Sequence, residues 1–239
     1  MQILMIGHST VLIETDGQRV ITDPYFGTWG NPAFSRLNPP ARRREELRDV
    51  NLVLLSHNHW DHVDRRFFRS LSSSVPVAAP NQTTWLTKWQ GAQNVIGLKV
   101  WESRQFGTLK ITAVPASHIA MTTGFVLQSE NKQVYFAGDT YYGPFMKEIG
   151  NRFQLDAALM PVTTYRLPMT MGEQAAVRAV QDLSPKVVIP IHLGIRPRFP
   201  FLRTNQTLEG FERRLREANL ETKVIILKDG ETWNWPGKT

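Results

Sequence analysis

The chain has 239 residues, 41% of them hydrophobic, so it is long enough to bury a sizeable core, and this composition excludes intrinsic disorder. Its 28 Lys and Arg residues against 21 Asp and Glu residues give a formal charge of +7, which fits either an anionic partner or an ordinary solvated basic surface. Because cysteine is absent, disulfides, thiolate catalysis and cysteine-ligated metals are excluded, and any metal must be bound by nitrogen and oxygen.

The basic residues are scattered along the chain. The one short run, at residues 42–44, is followed at once by two glutamates, so a nucleic-acid partner is not indicated. No apolar run reaches the roughly 18 to 20 residues that a membrane span needs, and the start lacks the features of a secretory signal. We therefore expect a cytoplasmic protein without a transmembrane segment, and a homo-oligomer is compatible with the sequence.

Short apolar runs alternate with amphipathic segments, which is typical of the α/β class in a single domain over residues 1–239. Near the start, strands are predicted at residues 3–6, 11–14 and 20–22, with a tight turn at Asp16 and Gly17. Residues 24–40 combine glycines and prolines with aromatic side chains, including Trp29, and predict a long loop. Loops of this length are often functional.

A buried strand is predicted at residues 50–56, and a helix is expected to begin near Asp64 with Phe67, Phe68 and Leu71 facing inward. The other predicted strands lie at residues 75–79, 99–101, 109–114, 124–129, 134–137, 186–191 and 223–227, with a last short strand after the turn at residues 229–230.

Two further helices are predicted in the second half. Residues 170–173 have the form of a capping box that opens a helix ending before Pro185, and an amphipathic helix is expected over residues 208–218.

Histidines and aspartates are concentrated directly after the predicted strands. Residues 57–62 read His-Asn-His-Trp-Asp-His, which places His57, His59, Asp61 and His62 within six residues. Alternate residues of extended backbone point to the same side, so His57 and His59 can converge on one ion. Imidazole and carboxylate groups are the ligands that Zn²⁺ accepts when no thiolate is available.

Three more such residues each follow a strand: His118, Asp139 within Gly-Asp-Thr, and His192. Five of the six histidines therefore stand at the carboxyl ends of strands, the edge where α/β sheets place their sites. The sequence predicts a metal site at this edge.

The order of these motifs resembles that of the metallo-β-lactamase-fold hydrolases. Together with residues 7–10, 22–24 and 137–140, it looks like the branch that contains the N-acyl-phosphatidylethanolamine phospholipase D-like and ascorbate-6-phosphate lactonase-like proteins. The resemblance covers almost the whole chain. It implies an αββα four-layer sandwich, with two mixed β-sheets packed face to face and helices outside.

The resemblance also implies two divalent metal ions. It assigns His57, His59 and His118 to the first ion and Asp61, His62 and His192 to the second, with Asp139 bridging them. Zn²⁺ is favoured by the histidine content, and Mn²⁺ or Fe²⁺ also suits such ligands. Two ions about 3.5 to 4 Å apart lower the pKa of a shared water to near neutrality, and Asp61 can take its proton.

Two further polar residues follow N-terminal strands. Metal-bound histidines usually donate their second ring N–H to a carboxylate, so Asp23 is a candidate orienting partner, with a simple turn at Asp23 and Pro24 as the alternative. For His8, a role facing the metal ligands or the substrate and a purely structural hydrogen bond are both open.

The fold alone does not identify the substrate. Residues 25–40, 161–170 and 194–203 are the candidate loops around the site, and Arg196 and Arg198 could hold an anion there. We expect a hydrolase that cleaves a small anionic ester, with a phosphodiester favoured over a lactone. A non-hydrolytic accessory or sensor protein is the alternative from a different class.

Overall fold

The computed structural model describes residues 1–28 and 30–235, so Trp29 of the predicted aromatic loop lies outside the described residues. Two seven-stranded β-sheets pack face to face, and helices cover their outer faces. This arrangement confirms the predicted α/β sandwich with two mixed sheets. In the described part of the chain, no helix is both long and apolar enough to cross a bilayer.

The first sheet has the strand order β16-β1-β2-β3-β5-β6-β7. Its strands are β1 (Gln2–Gly7), β2 (Thr10–Thr15), β3 (Gln18–Thr22), β5 (Leu52–Leu54), β6 (Pro76–Pro80), β7 (Asn94–Leu98) and β16 (Thr232–Asn234). Pairing is antiparallel from β16 to β3 and parallel from β3 to β7. At the β2–β3 turn, Asp16 and Gly17 have φ of 49° and 72°, as the predicted tight hairpin requires.

The second sheet has the order β15-β13-β12-β11-β10-β9-β8. Its strands are β8 (Ser103–Phe106), β9 (Leu109–Val114), β10 (Gly124–Gln128), β11 (Gln133–Phe136), β12 (Ala157–Pro161), β13 (Val187–Ile191) and β15 (Lys223–Val224). Pairing is antiparallel from β8 to β11 and parallel from β11 to β15. A separate two-stranded sheet joins β4 (Phe34–Arg36) to β14 (Ile195–Pro197).

Within residues 1–28 and 30–235, five α-helices cover the sheets: α1 (Arg65–Ser70), α2 (Thr84–Trp89), α3 (Phe145–Arg152), α4 (Glu173–Leu183) and α5 (Leu208–Glu217). Helix α1 begins as predicted, because the side chain of Asp64 caps it by accepting a hydrogen bond from the backbone N–H of Phe67 at 2.8 Å.

The core follows from the alternation of side chains along the strands. On β2, Val11 and Ile13 belong to the cluster between the sheets, whereas Leu12 between them faces α1. The inner cluster draws on both sheets, while α3, α4 and α5 cover the outer face of the second sheet.

The predicted strand at residues 99–101 is wrong. Those residues form a turn between β7 and β8, where Trp101 has φ of 69° and donates its backbone N–H to Ala113. The indole of Trp101 is half-buried beneath the guanidinium of Arg152, 4.0 Å from the ring centre. An apolar side chain is therefore accommodated here without a strand.

The predicted capping box is also wrong. Helix α4 starts at Glu173 with Gly172 as its N-cap, and no side chain caps it. Instead, the hydroxyl of Thr170 donates to the carbonyl of Thr163, and the carboxylate of Glu173 pairs with Arg214 of α5 at 2.9 Å. The carboxylate of Glu173 thus makes an ion pair with another helix in place of the predicted capping hydrogen bond within its own helix.

Candidate metal centre

The chain delivers its histidines and two aspartates to one edge of the sandwich. The loop after β5 carries His57, His59, Asp61 and His62, whereas His118, Asp139 and His192 follow β9, β11 and β13. The site therefore lies across the seam between the two sheets. All seven predicted ligands meet there, and their role as ligands stays a prediction.

The first group consists of His57, His59 and His118, whose ligand atoms lie within 4.8 Å of one another. Nδ1 of His59 and Nε2 of His118 are 3.3 Å apart. Two imidazole nitrogens that bind one tetrahedral ion at 2.0–2.1 Å are separated by about 3.4 Å. Burial lowers the pKa of all three histidines, that of His118 to about 4, so each imidazole is neutral at pH 7.

The second group consists of Asp61, His62 and His192, and the structure adds His8 to it within the same 4.8 Å limit. Oδ2 of Asp61 lies 3.9 Å from Nε2 of His192 and 4.0 Å from Nε2 of His62. Three side chains thus turn their donor atoms toward one point.

The carboxylate of Asp139 lies between the two groups. Its Oδ2 is 3.1 Å from Nε2 of His192 and 3.4 Å from Nε2 of His62, both in the second group. The same oxygen is 3.8 Å from Nε2 of His118 and 4.0 Å from Nε2 of His57, both in the first group. One oxygen within reach of both groups is the arrangement that a bridging ligand needs.

Several buried polar atoms at this edge have no hydrogen-bond partner among the described residues, including Nε2 of His57, Nε2 of His62 and Oδ1 of Asp139. Each such atom left unsatisfied would cost about 1–3 kcal/mol. Burial alone would lower the pKa of His62, but Asp139, Asp23 and Asp61 together raise it well above its usual value. The site therefore favours positive charge, and its residues fit divalent cations.

Asp23 is fully buried and holds a histidine of each group in a defined orientation. Its Oδ1 accepts the backbone N–H of Ser56 at 2.7 Å, and its Oδ2 accepts the Ser56 hydroxyl at 2.6 Å and faces Nδ1 of His62 at 2.6 Å. Because the Ser56 hydroxyl has one hydrogen, its oxygen must accept the Nδ1–H of His57, 2.9 Å away. Nε2 is then the nitrogen that each histidine turns toward the site and has available for a metal ion, which is the orienting role expected for Asp23.

His8 lies beneath the second group. Its Nε2 is 3.4 Å from Oδ2 of Asp61, and its ring centre is 4.2 Å from that of His192. Burial, followed by the charge of His192, lowers the pKa of His8 to about 3, so its imidazole is neutral at pH 7. It is almost completely buried and does not line the cavity described below. This position favours orientation of Asp61 over contact with the substrate.

Unusual backbone conformations are concentrated at this edge. His8, Asp23 and His192 have φ of 60°, 33° and 64°, a region that residues other than glycine rarely adopt. Gly138 has φ of 57°, and a Cβ there would lie 2.3 Å from Cβ of Ser56. Gly138 therefore allows the second sheet to approach the first directly beside Asp139.

A cavity of about 220 Å³ opens above the histidine cluster. It is lined by Phe34, His59, Trp60, Asp61, His118, Ile119, Asp139, Tyr165, Met169, His192 and Ile195. Each of the three loops proposed to surround the site contributes to its wall, through Phe34, Tyr165 with Met169, and Ile195.

Arg196 and Arg198 do not reach this cavity. Side chains alternate along β14, so Ile195 and Pro197 are buried while Arg196 is exposed on the other side, and Arg198 follows in register with it. Nε of Arg198 donates to the carbonyl of Asn31 at 3.1 Å. Strand register therefore directs these arginines away from the cavity, which argues against the expectation that they hold the substrate.

We expect Arg196→Ala to change KM for an anionic ester by less than about twofold, as for an ordinary surface residue. Loss of a charge-assisted clamp would instead raise KM by about 10- to 150-fold, or ~1.5–3 kcal/mol. Steady-state kinetics with matched anionic and neutral esters provide the measurement. A large rise in KM confined to the anionic ester would show that Arg196 does hold the substrate's charge.

Sequence reasoning missed several residues at the site. Ser56 stands immediately before His57, but nothing in the motif shows that its hydroxyl links two other side chains. Tyr165 was included only within a candidate loop. Its position beside the cavity depends on a hydrogen bond from its hydroxyl to the carbonyl of Ile195, 30 residues further along the chain.

The fold and the cluster of candidate ligands at the seam define a metallo-β-lactamase-fold protein, and the model of the Beta-lactamase superfamily domain matches residues 18–193. A UPF0173 metal-dependent hydrolase of Lysinibacillus sphaericus is 31% identical over 249 residues, covering 98% of this chain and 99% of that protein. Another, from Methanopyrus kandleri, is 29% identical over 245 residues, covering 98% and 99%. The chain therefore belongs to the UPF0173 metal-dependent hydrolases of this superfamily.

A solved structure of a metallo hydrolase from the archaeon Ignicoccus hospitalis has the same fold. Its TM-score to this chain is 0.80 at 24% identity, and the match covers 99% of both chains.

Proposed function

We propose that the chain is a dinuclear metal-dependent hydrolase that uses water to cleave an ester bond. The observation that carries this proposal is the position of Oδ2 of Asp139, within 3.1–4.0 Å of four imidazole nitrogens that belong to two separate groups. A single-ion site would not need a carboxylate between two sets of ligands. The proposed ligand set is His57, His59 and His118 for one ion, Asp61, His62 and His192 for the other, and Asp139 for both.

Zn²⁺ is the proposed metal at both positions, because imidazoles supply five of the seven ligands and no thiolate is present. Mn²⁺ and Fe²⁺ accept the same nitrogen and oxygen donors. When bound, a pair of such ions supplies Lewis acidity and lowers the pKa of a nearby water.

The residues of the chain have separable tasks. Asp61 lines the cavity and is the group placed to accept a proton from the attacking water. His8 lies beneath Asp61, with its Nε2 3.4 Å from Oδ2 of that carboxylate, and is the group placed to keep Asp61 directed at the cavity. Asp23 is remote from the substrate and positions His57 and His62 through hydrogen bonds.

A small anionic phosphodiester is the first proposed substrate, on the resemblance to the phospholipase D-like branch. The substrate's negative charge would be met by the ions, since no Lys or Arg lines the cavity among the described residues. That same absence favours a second candidate, a lactone, whose reacting group carries no charge.

Metal-reconstituted protein should contain two transition-metal ions per chain by elemental analysis and should hydrolyse at least one ester in a panel of phosphodiesters, lactones, thioesters and sulfate esters. Removal of the ions with a chelator should abolish this activity, and their return should restore it. Full activity in metal-free protein would refute the proposal. Two bound ions without hydrolysis of any ester would instead support an accessory or sensor role.

A further inference from the structure

We infer that the cavity above the ligand cluster receives an uncharged, apolar group of the substrate, adjacent to the bond that is cleaved. This inference rests on the proposed function, because it concerns the same site. The group would be recognised by side chains of the loops at residues 25–40, 161–170 and 194–203. Trp60 and Ile119, which stand next to proposed ligands in the chain, complete the wall.

Apolar and aromatic side chains form the cavity wall. Beyond the proposed metal ligands, the lining consists of Phe34, Trp60, Ile119, Tyr165, Met169 and Ile195. At about 220 Å³ the cavity is smaller than the roughly 300–1,000 Å³ of drug-binding sites, so the group it holds is small.

The two aromatic residues with polar atoms offer ring surface to the cavity. The hydroxyl of Tyr165 donates to the carbonyl of Ile195 at 3.0 Å, and its ring packs 5.4 Å from the ring of Phe34. Trp60 is held edge-on against Tyr25, with ring centres 5.6 Å apart. These contacts fix the wall in position before a substrate binds.

Two arginine side chains near the cavity hydrogen-bond to backbone carbonyls of the surrounding loops. Nε of Arg203 donates to the carbonyl of Pro197 at 3.1 Å, and Nη1 of Arg36 donates to the carbonyls of Tyr25 and Gly27. A charged group placed against this wall would lose its hydration without gaining a partner. The wall therefore discriminates in favour of apolar groups.

Ile119, which directly follows His118, is the most exposed residue of the cavity wall. Ile119 is 65% exposed and yet lines the cavity. Leu167 is equally exposed, at 66%, and belongs to the same loop as Met169 but does not line the cavity. It supplies a matched control.

Binding of n-alkyl phosphonates, from methyl to hexyl, to the metal-loaded protein tests the inference by calorimetry. The phosphonate is directed to the ions and the alkyl chain to the wall. Affinity should rise about fourfold per methylene, or ~0.8 kcal/mol, until the cavity is filled. A phosphonate of equal length that ends in a carboxylate should bind at least about tenfold more weakly than the alkyl compound.

Ile119→Ser should weaken hexylphosphonate about tenfold and methylphosphonate little, because only the longer chain reaches this side chain. Leu167→Ser should change neither by more than about twofold. Equal affinities along the series, on protein shown to carry its ions, would overturn this inference and leave the proposed function intact.

A second measurement needs no ion. Cyclohexanol titrated into metal-stripped protein should shift the indole N–H resonance of Trp60, identified by its loss in Trp60→Phe, and Ile119→Ser should weaken this response. Leu167→Ser should leave it unchanged. Absence of the shift would overturn the inference, whatever the metal content proves to be.

Discussion

Asp139→Ala is expected to remove both ions and to lower kcat at least about a thousandfold. Its Oδ2 faces histidines of both groups at 3.1–4.0 Å, so no other side chain can restore the link between them. A thousandfold loss corresponds to ~4 kcal/mol, as expected when metal-based charge stabilisation is lost. Elemental analysis and the rate with the best ester of the panel give the measurement.

His57→Ala and His192→Ala provide the comparison, since each belongs to one group and should remove one ion. A buried carboxylate elsewhere supplies the control. Asp156 accepts hydrogen bonds from Lys186 and from the backbone of Gln133, away from the site, so Asp156→Asn should retain both ions. An Asp139→Ala protein with two ions and an unchanged rate would show that the bridging role is wrong.

Asp23→Asn is expected to weaken metal binding in both groups, although the substitution changes one atom. The carboxylate accepts from the backbone N–H and hydroxyl of Ser56 and is paired with Nδ1 of His62. An amide has only one oxygen, so in either orientation its NH₂ group meets a donor. If the NH₂ faces His62, Nδ1 becomes the acceptor, and Nε2 carries the hydrogen and cannot bind an ion.

The expected loss in metal affinity is at least about 10- to 100-fold, which is typical for removal of a carboxylate that orients a metal-bound histidine. Titration of the metal-free protein with Zn²⁺ measures it. Ser56→Ala is the informative companion, because it removes the hydroxyl that joins Asp23 to His57 but leaves Asp23 paired with His62, so it should weaken mainly the first group. Wild-type affinities in Asp23→Asn would mean that Asp23 only shapes the turn.

Features that depend on residues close together in the sequence could be predicted from it. The fold and the candidate ligands are visible because strands alternate and because five histidines directly follow strands, so local pattern and topology coincide. The direction of Arg196 was not predictable in this way, because it depends on the pairing of Ile195 with Arg36, 159 residues earlier in the chain. Pairing across such a separation leaves no local pattern.

Tertiary contacts also outweighed local signals elsewhere. The capping-box pattern at Glu173 was overridden by Arg214, and Trp101 is accommodated in a turn under Arg152 although its apolar character favours a strand. The hydroxyl of Ser56 was missed for a related reason. Its partner Asp23 lies 33 residues earlier, and no spacing rule connects them.

The placement of the candidate ligands across the seam would couple metal binding to the folding of the whole sandwich. Four of the seven side chains follow β5 in one sheet, and three follow β9, β11 and β13 in the other, so neither sheet alone carries a complete set. Ions bound only by the folded chain stabilise it by mass action, by about 4 kcal/mol each at a thousandfold excess over Kd. Metal availability would thus set the free energy of unfolding as well as the rate of hydrolysis.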